Sequence, residues 1–250
     1  MQYKYNVKKE NYSLFSSGNV LYSISGQPAF PVRLSSEIYQ RCAEILNGKN
    51  IKPPYSIYDP FCGSGYLITT LGFLHGNTIS NLTASDISNT AVELARRNLN
   101  LLTDKGLNSR EEELVKLFTT FQKESHLEAI EKIKRLRTEF ATLQTEKIVK
   151  KVFQADALSK ESIEKNVSLA SIDIAISDIP YGQQTNWLLE DNSLNDPVIG
   201  FLETIRHFVK SEGLIVLTTQ SRIKFTENPN FKKVHSFKVG HRHIYLIRNI

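Results

Sequence analysis

Tyr55-Ser-Ile-Tyr-Asp-Pro-Phe-Cys-Gly-Ser-Gly-Tyr-Leu-Ile-Thr69 is the stretch whose reading decides the fold. Ile57 and Tyr58 read as a short buried strand. Asp59-Pro60 breaks that pattern, and Gly63-Ser64-Gly65 turns the chain. Leu67, Ile68, Leu71 and Leu74 then return at helical spacing. Strand, glycine turn and helix open a βαβ unit of a Rossmann-like parallel sheet. Neither glycine carries a Cβ, so backbone at the turn can approach a ligand closely. The amides at the helix start are placed to donate to an acceptor on that ligand.

The details narrow the ligand. A dinucleotide fingerprint needs a third glycine where Ile68 stands, and a nucleoside-triphosphate loop needs a Lys after its last glycine, where Tyr66 stands. What remains is Asp-Pro-x-Cys-Gly-Ser-Gly, with the Asp59 carboxylate at the strand end facing the glycines. This resembles the nucleoside-binding motif of S-adenosylmethionine-dependent methyltransferases. The resemblance implies a cofactor site lined by Asp59, Cys62, Gly63, Ser64 and Gly65, with Asp59 near the cationic methionine end. A tight turn holding no ligand is the competing reading.

At 250 residues with 40% hydrophobic content, the chain is long enough for one α/β domain with a sizeable core. No apolar run is long enough to span a bilayer. Met1-Gln-Tyr-Lys-Tyr-Asn-Val-Lys-Lys-Glu10 lacks the apolar middle of a signal peptide. The two cysteines, Cys42 and Cys62, offer neither a disulfide framework nor a four-ligand zinc site. The expectation is a cytoplasmic monomer with no membrane and no metal. Net charge is +5, and the distribution says more than the total. From Arg222 onward the bases are Arg222, Lys224, Lys232, Lys233, Lys238, Arg242 and Arg248, against a single acid, Glu227. Such a one-sided segment suits a phosphate backbone or, equally, a solvated terminal hairpin.

Upstream of the glycine turn, the prolines of Gly26-Gln-Pro-Ala-Phe-Pro-Val-Arg-Leu34 fix an extended path. Ser35 or Ser36 is then placed to cap a helix carrying Ile38, Tyr39, Cys42, Ile45 and Leu46. This segment resembles the one that walls the cofactor pocket in several base methyltransferases, which makes Arg33 a candidate cofactor contact, with a packing element carrying a surface Arg33 as at least an equal alternative. Downstream, Ile79-Ser-Asn-Leu-Thr-Ala-Ser-Asp86 reads as the second strand, and Ser88 or Asn89 as the cap of the next helix. An acid there, Asp86 with Ile87 beside it, is placed to accept bonds from the ribose hydroxyls of a nucleoside, the alternative being a helix-capping turn residue alone. The alternation then stops. Ser109-Arg-Glu-Glu112 and Ser125-His-Leu-Glu128 are capping-box patterns ahead of two amphipathic helices. The expected organisation is one domain over residues 1–250, with an N-terminal segment and helix over 1–50 and a helical insertion over 104–146. Lys147-Ile-Val-Lys-Lys-Val-Phe-Gln-Ala-Asp156 is the third strand and Ser171-Ile-Asp-Ile-Ala-Ile-Ser-Asp178 the fourth. A helix from Pro197 to Val209, a fifth strand over Gly213-Leu-Ile-Val-Leu-Thr-Thr219 and a closing strand pair complete a mostly parallel, seven-stranded sheet.

Asp59, Asp86, Asp156 and Asp178 thus arrive independently at the carboxyl edge of one sheet, where open α/β sheets bind ligands. Asp178-Ile-Pro-Tyr-Gly182 resembles the Asp/Asn-Pro-Pro-Tyr/Phe motif of enzymes that methylate base nitrogens, departing at Ile179. A base nitrogen is a poor nucleophile because its lone pair is delocalised into the ring. Asp178 and the Ile179 carbonyl can accept its N–H groups, Tyr181 can stack on the base, and Pro180 stiffens the turn. Reaching a base means flipping it out or taking it unpaired. Gly182 and Trp187 extend the candidate substrate surface, though Trp187 has core packing as its equal alternative.

Taken together, Gln27-Pro-Ala-Phe-Pro-Val-Arg-Leu34, Asp59 to Leu67, Leu71-Gly-Phe-Leu-His75, Ala84-Ser-Asp86 and Asp178 to Gly182 resemble, in order and spacing, the AviRa-like (avilamycin-resistance) family of 23S rRNA guanine methyltransferases. The helical insertion matches too, so the likeness covers nearly the whole chain. Phe61 and the C-terminal part depart from it. The resemblance implies a class I Rossmann-like fold, S-adenosylmethionine as cofactor, large-subunit ribosomal RNA as partner and orthosomycin resistance as consequence. It also implies that Asp156 and Ala157 hold the adenine. Other nucleic acids, a protein glutamine, or a non-catalytic RNA-binding or assembly role are the alternatives.

Overall fold

β1 (Tyr55–Asp59) is buried at all five positions because both of its faces are covered. Tyr55 and Ile57 point into one apolar cluster, and Tyr58 into the other. A computed structural model describes residues 3–250 apart from 17, 25, 27, 144, 180–196, 221 and 224–227. Its other strands are β2 (Ile79–Asp86), β3 (Val149–Gln154), β4 (Ile172–Asp178), β5 (Val209–Thr219), β6 (Phe231–Val239) and β7 (Arg242–Asn249). They form one seven-stranded sheet in the order β3-β2-β1-β4-β5-β7-β6. β1 to β5 pair in parallel, and β7 and β6 close the sheet antiparallel. The fold is therefore the class I arrangement expected from the sequence.

The helices are α1 (Val32–Asn47), α2 (Tyr66–His75), α3 (Asn89–Asn100), α4 (Asp104–Phe121), α5 (Glu124–Glu139), α6 (Lys160–Glu164) and α7 (Pro197–Ile205). α1, α2 and α3 cover one face with Leu34, Ile38, Ile68, Leu71, Ala95 and Leu99. α6 and α7 cover the other with Ile163, Phe201 and Ile205. The insertion packs on the first cluster through Leu114 of α4 and Ile130, Ile133 and Leu136 of α5. The switch of the hydrophobic period between strands and helices places these faces.

Several expected boundaries move, each for a physical reason. α1 starts at Val32 with Pro31 as its cap residue, and neither Ser35 nor Ser36 caps it. Proline fits a helix start because its missing N–H would have no intrahelical acceptor there. α4 starts at Asp104, where the Thr103 hydroxyl accepts the Gly106 N–H at 3.0 Å, so Ser109 lies inside the helix. α5 starts at Glu124 without a side-chain cap, so the second capping box does not form either. β3 starts at Val149 after a short 3-10 turn, not at Lys147. β5 starts at Val209, not Gly213, and α7 ends at Ile205. The pairing of β5 with β4 jumps from Ile172–Val209 to Ile174–Leu214, and Glu212 has φ 63°. That irregularity splits one strand into two apolar pieces, the first of which imitates a helix end.

Candidate active site

The strand ends bring the predicted carboxylates to one edge. Asp59 closes β1 opposite Ala84, and Asp86 and Asp178 are the last residues of β2 and β4. Asp156 lies just beyond β3, where the Ala155 N–H donates to the Asp86 carbonyl at 3.1 Å.

The glycine loop is fastened to this edge by its own backbone. The Cys62 N–H donates to the Ser85 carbonyl at 2.9 Å, and the Gly65 N–H to the Cys62 carbonyl at 2.7 Å. Gly63 and Gly65 have φ 52° and 71°, values that residues with a Cβ rarely adopt. The Gly63 N–H donates to Asp86 Oδ2 at 2.9 Å, so the second strand's acid orients the loop of the first. Gly65 has a packing reason to be glycine besides the backbone approach expected of the loop. A Cβ there would meet Ala95 of α3 at 2.9 Å, so this glycine serves helix packing. Asn98 of α3 completes the support, donating to the Ser64 carbonyl at 2.8 Å and to the Tyr22 carbonyl at 2.9 Å.

Asp59 is 2% exposed and, among the described residues, accepts one bond, from the Phe61 N–H at 3.2 Å. Burial pushes its carboxyl well above the usual carboxylate range, and the charges of Asp86 and Asp178 push the same way. No cation among the described residues offsets it, so this carboxylate can accept a cationic ligand group. Asp86 also accepts the Ser88 N–H at 2.9 Å through Oδ1. Each of its oxygens keeps a further lone pair for hydroxyl donors. Asp156 Oδ1 accepts the Leu158 N–H at 2.9 Å, Ala157 is buried, and Ile87 stands exposed beside Asp86. Cys62 is buried in the loop, and burial raises its thiol above the usual range, so it is a neutral packing group.

Asp178 lies at the junction of the parallel sheet and the closing hairpin. The Thr218 hydroxyl donates to its Oδ1 at 2.5 Å, and Arg242 Nη2 is 3.8 Å from its Oδ2. Burial raises this carboxyl above its usual value against the lowering influence of Thr218 and Arg242. The Ile179 N–H donates to the Thr218 carbonyl at 3.0 Å, which fixes the backbone as it leaves the sheet. Pro180, Tyr181, Gly182 and Trp187 lie outside the described residues.

Arg33 is not brought to the loop. Its guanidinium donates to the Asn6 and Val7 carbonyls and lies 3.9 Å over the Tyr3 ring, which ties α1 to the N-terminal segment. Conversely, Thr218 and Arg242 contact Asp178 and Asn98 supports the glycine loop, and the sequence reading does not single them out for this. Asn98 had a signal, being polar on the apolar face of Ala91 and Ala95. Arg242 was visible only as one base in a basic segment. The described residues hold no cluster of His, Cys, Asp and Glu suited to a metal, and no described helix is long and apolar enough to cross a membrane.

Comparison with known proteins sets this geometry in context. Residues 1–242 match the family described as rRNA methyltransferase AviRa. The chain is 35% identical over 246 residues, 98% of its length and 95% of the relative's, to the 23S rRNA (guanine(2535)-N(1))-methyltransferase of Streptomyces viridochromogenes. Two solved structures of the rRNA methyltransferase aviRa from that organism superimpose with TM-scores of 0.85 and 0.86, at 34% identity, over 99% of this chain and 96% of theirs. The T. thermophilus 16S rRNA N2 G1207 methyltransferase RsmC, solved with AdoMet and guanosine, is similar in fold, with a TM-score of 0.50 at 12% identity over 90% of this chain and 44% of that one.

Proposed function

The chain belongs to the AviRa rRNA methyltransferase family, and from that premise we propose that it transfers a methyl group from S-adenosylmethionine to N1 of a guanine in 23S rRNA. The observation that carries the reading is the buried Asp59 carboxylate beside a left-handed glycine loop, with no cation of the described chain facing it. The ammonium and sulfonium of the cofactor's methionine end are the charges it lacks. The residues therefore fit the cofactor. Asp59 would hold the methionine end, and the remaining lone pairs of Asp86 the ribose hydroxyls. Asp156, the Ala157 backbone and the apolar Ile87 would hold the adenine. Gly63, at φ 52°, holds a backbone conformation that residues with a side chain rarely adopt, and its backbone would lie beside the ligand. When bound, S-adenosylmethionine supplies an electrophilic methyl on a cationic sulfur.

The chain's own work is on the base. Guanine N1 bears a proton that must leave for its electron pair to form the new bond. Asp178, whose carboxyl is shifted upward by burial, is the acceptor for that proton, and Thr218 holds its other oxygen in place. The Ile179 carbonyl is a second acceptor for N–H groups of the base, and Tyr181 its stacking partner. By the motif's resemblance alone, Pro180, Gly182 and Trp187 would serve the base as well, with core packing the equal alternative for Trp187. Mass spectrometry of 23S rRNA from cells with and without the gene tests the reading. One guanine should carry an extra methyl on N1 only in the former, and those cells should tolerate avilamycin better. Unchanged 23S rRNA sinks the proposal.

A further inference from the structure

Arg242 fits the base better than it fits the phosphate backbone suggested by its place in a basic segment. It is the first residue of β7, directly beside the carboxylate edge. Its guanidinium stands 5.4 Å from the Phe30 ring and 3.8 Å from Asp178 Oδ2, too long for a good hydrogen bond. Its Nε is buried with no hydrogen-bond partner among the described residues. A half-engaged guanidinium of this kind has donors left for a ligand, and burial makes an unsatisfied donor costly until one arrives.

Resting on the guanine-N1 reading above, we infer that Arg242 binds guanine O6 and stabilises the charge that develops there as N1 loses its proton. N1–H and O6 are neighbours on one edge of the base, and an acceptor and a donor 3.8 Å apart can straddle them. Asp178 takes the proton from N1. The electron pair left behind delocalises onto O6, opposite the guanidinium, until N1 forms the bond to the methyl carbon. The sulfur that loses the methyl keeps the electron pair of the broken bond. A preorganised donor aimed at a developing oxyanion is among the largest catalytic contributions a side chain makes. The same contact selects the base, because adenine presents an amino donor where guanine presents O6.

The charge nearest this pair that is felt along the edge is Asp59 on β1, which is coupled to Asp178 on β4 and, on its other side, to Asp86 on β2. Losing Arg242 removes one influence that holds the Asp178 carboxyl down, so the test must separate that effect from loss of the O6 contact. Arg242→Met and Arg242→Lys are compared with wild type in two measurements. The first is cofactor-free binding of a 23S rRNA fragment with guanine or adenine at the methylated position. Arg242→Met should lose most of the wild-type preference for guanine, and Arg242→Lys should keep part of it. The second is single-turnover methylation against pH. Near neutral pH, Arg242→Met should fall by about 10²–10³, the usual cost of one oxyanion donor. Its rate should keep rising with pH after the wild-type profile has levelled, as N1 ionises unaided. A profile that merely moves upward in pH and levels at the wild-type rate, or unchanged discrimination between the bases, overturns the assignment. A loss equal at every pH and for both bases overturns it as well, by assigning Arg242 a structural role. If wild type transfers no methyl to guanine, the functional reading itself falls.

Discussion

At Asp59 stability and binding pull in opposite directions. A carboxyl held above its ordinary value costs the fold stability once pH exceeds that ordinary value, because the folded state then binds more protons than the unfolded one. The deficit is absent below the unfolded pKa, grows as pH rises towards the folded pKa, and is constant above it. Asp59→Asn should therefore melt higher than wild type without cofactor at neutral pH, with the gain shrinking as pH falls. Its cofactor affinity should drop by about 10–100-fold, the worth of one hydrogen bond to a charged group. Calorimetry showing wild-type affinity would remove Asp59 from the site. Asp178 makes a different case, since its partners Thr218 and Arg242 already hold it. Asp178→Asn keeps an acceptor for Thr218 but cannot take a proton. Single-turnover rate should fall by about 10²–10⁴, the usual contribution of a positioned base, with cofactor affinity nearly unchanged. The wild-type rate should rise with pH through a value raised above that of an ordinary aspartate, and the variant should lack that limb. A variant that loses cofactor but keeps its rate would refute the base assignment.

Elements were readable in the sequence where one period ran unbroken. β2 has the bounds expected from Ile79 to Asp86, and the Ser88 cap of α3 forms as a side-chain bond to the Ala91 N–H. Boundaries failed where tertiary packing chose among several local signals. The start of α4 is the clearest case, because Gly106 in the first turn reads as a helix breaker. It is required there: a Cβ would lie 1.9 Å from the Asn100 carbonyl oxygen, so only glycine lets α4 fold back on the end of α3. Gly106→Ala should cost about 1–3 kcal/mol or more, the range for overpacking, and lower the melting temperature. Gly200 in α7 meets nothing within 4 Å of a built Cβ. Gly200→Ala should be neutral or stabilising by about 0.5–1 kcal/mol, since alanine is the better helix former. Equal melting temperatures for the two variants would contradict the packing at the insertion's entry. The same reasoning explains the two loop glycines. Their sequence spacing suggested one role, and only the fold shows that a side chain at Gly65 would meet Ala95 of α3.

Across the whole molecule, the basic C-terminal segment divides once the sheet is formed, and no one-dimensional count of charge could show this. Arg242 turns inward to Asp178, and Arg248 pairs with Glu212 at 3.5 Å. Lys232 and Lys238 are exposed on β6, the edge strand of the sheet. Lysines on an edge strand have two physical uses. They prevent edge-to-edge pairing with another copy, and they hold phosphates. The uses differ in what removal does. If the lysines hold RNA, Lys232→Ala and Lys238→Ala should each flatten the slope of log affinity against log salt by about 0.7–0.9, one phosphate contact's share. For Lys232→Ala the rate at saturating RNA should stay at the wild-type value, because Lys232 pairs with Arg248 at the end of the hairpin far from Asp178, whereas Lys238 pairs with His243 beside the carboxylate edge. If they only keep the edge apart, RNA affinity and its salt slope should be unchanged, and the double variant should self-associate in sedimentation experiments. The net charge of +5 and the closeness of the hairpin to Asp178 favour the phosphate role. A duplex or loop whose base enters at Asp178 would pass its backbone along the strand pair beside it. An unchanged salt slope in both single variants would move the RNA path off this edge.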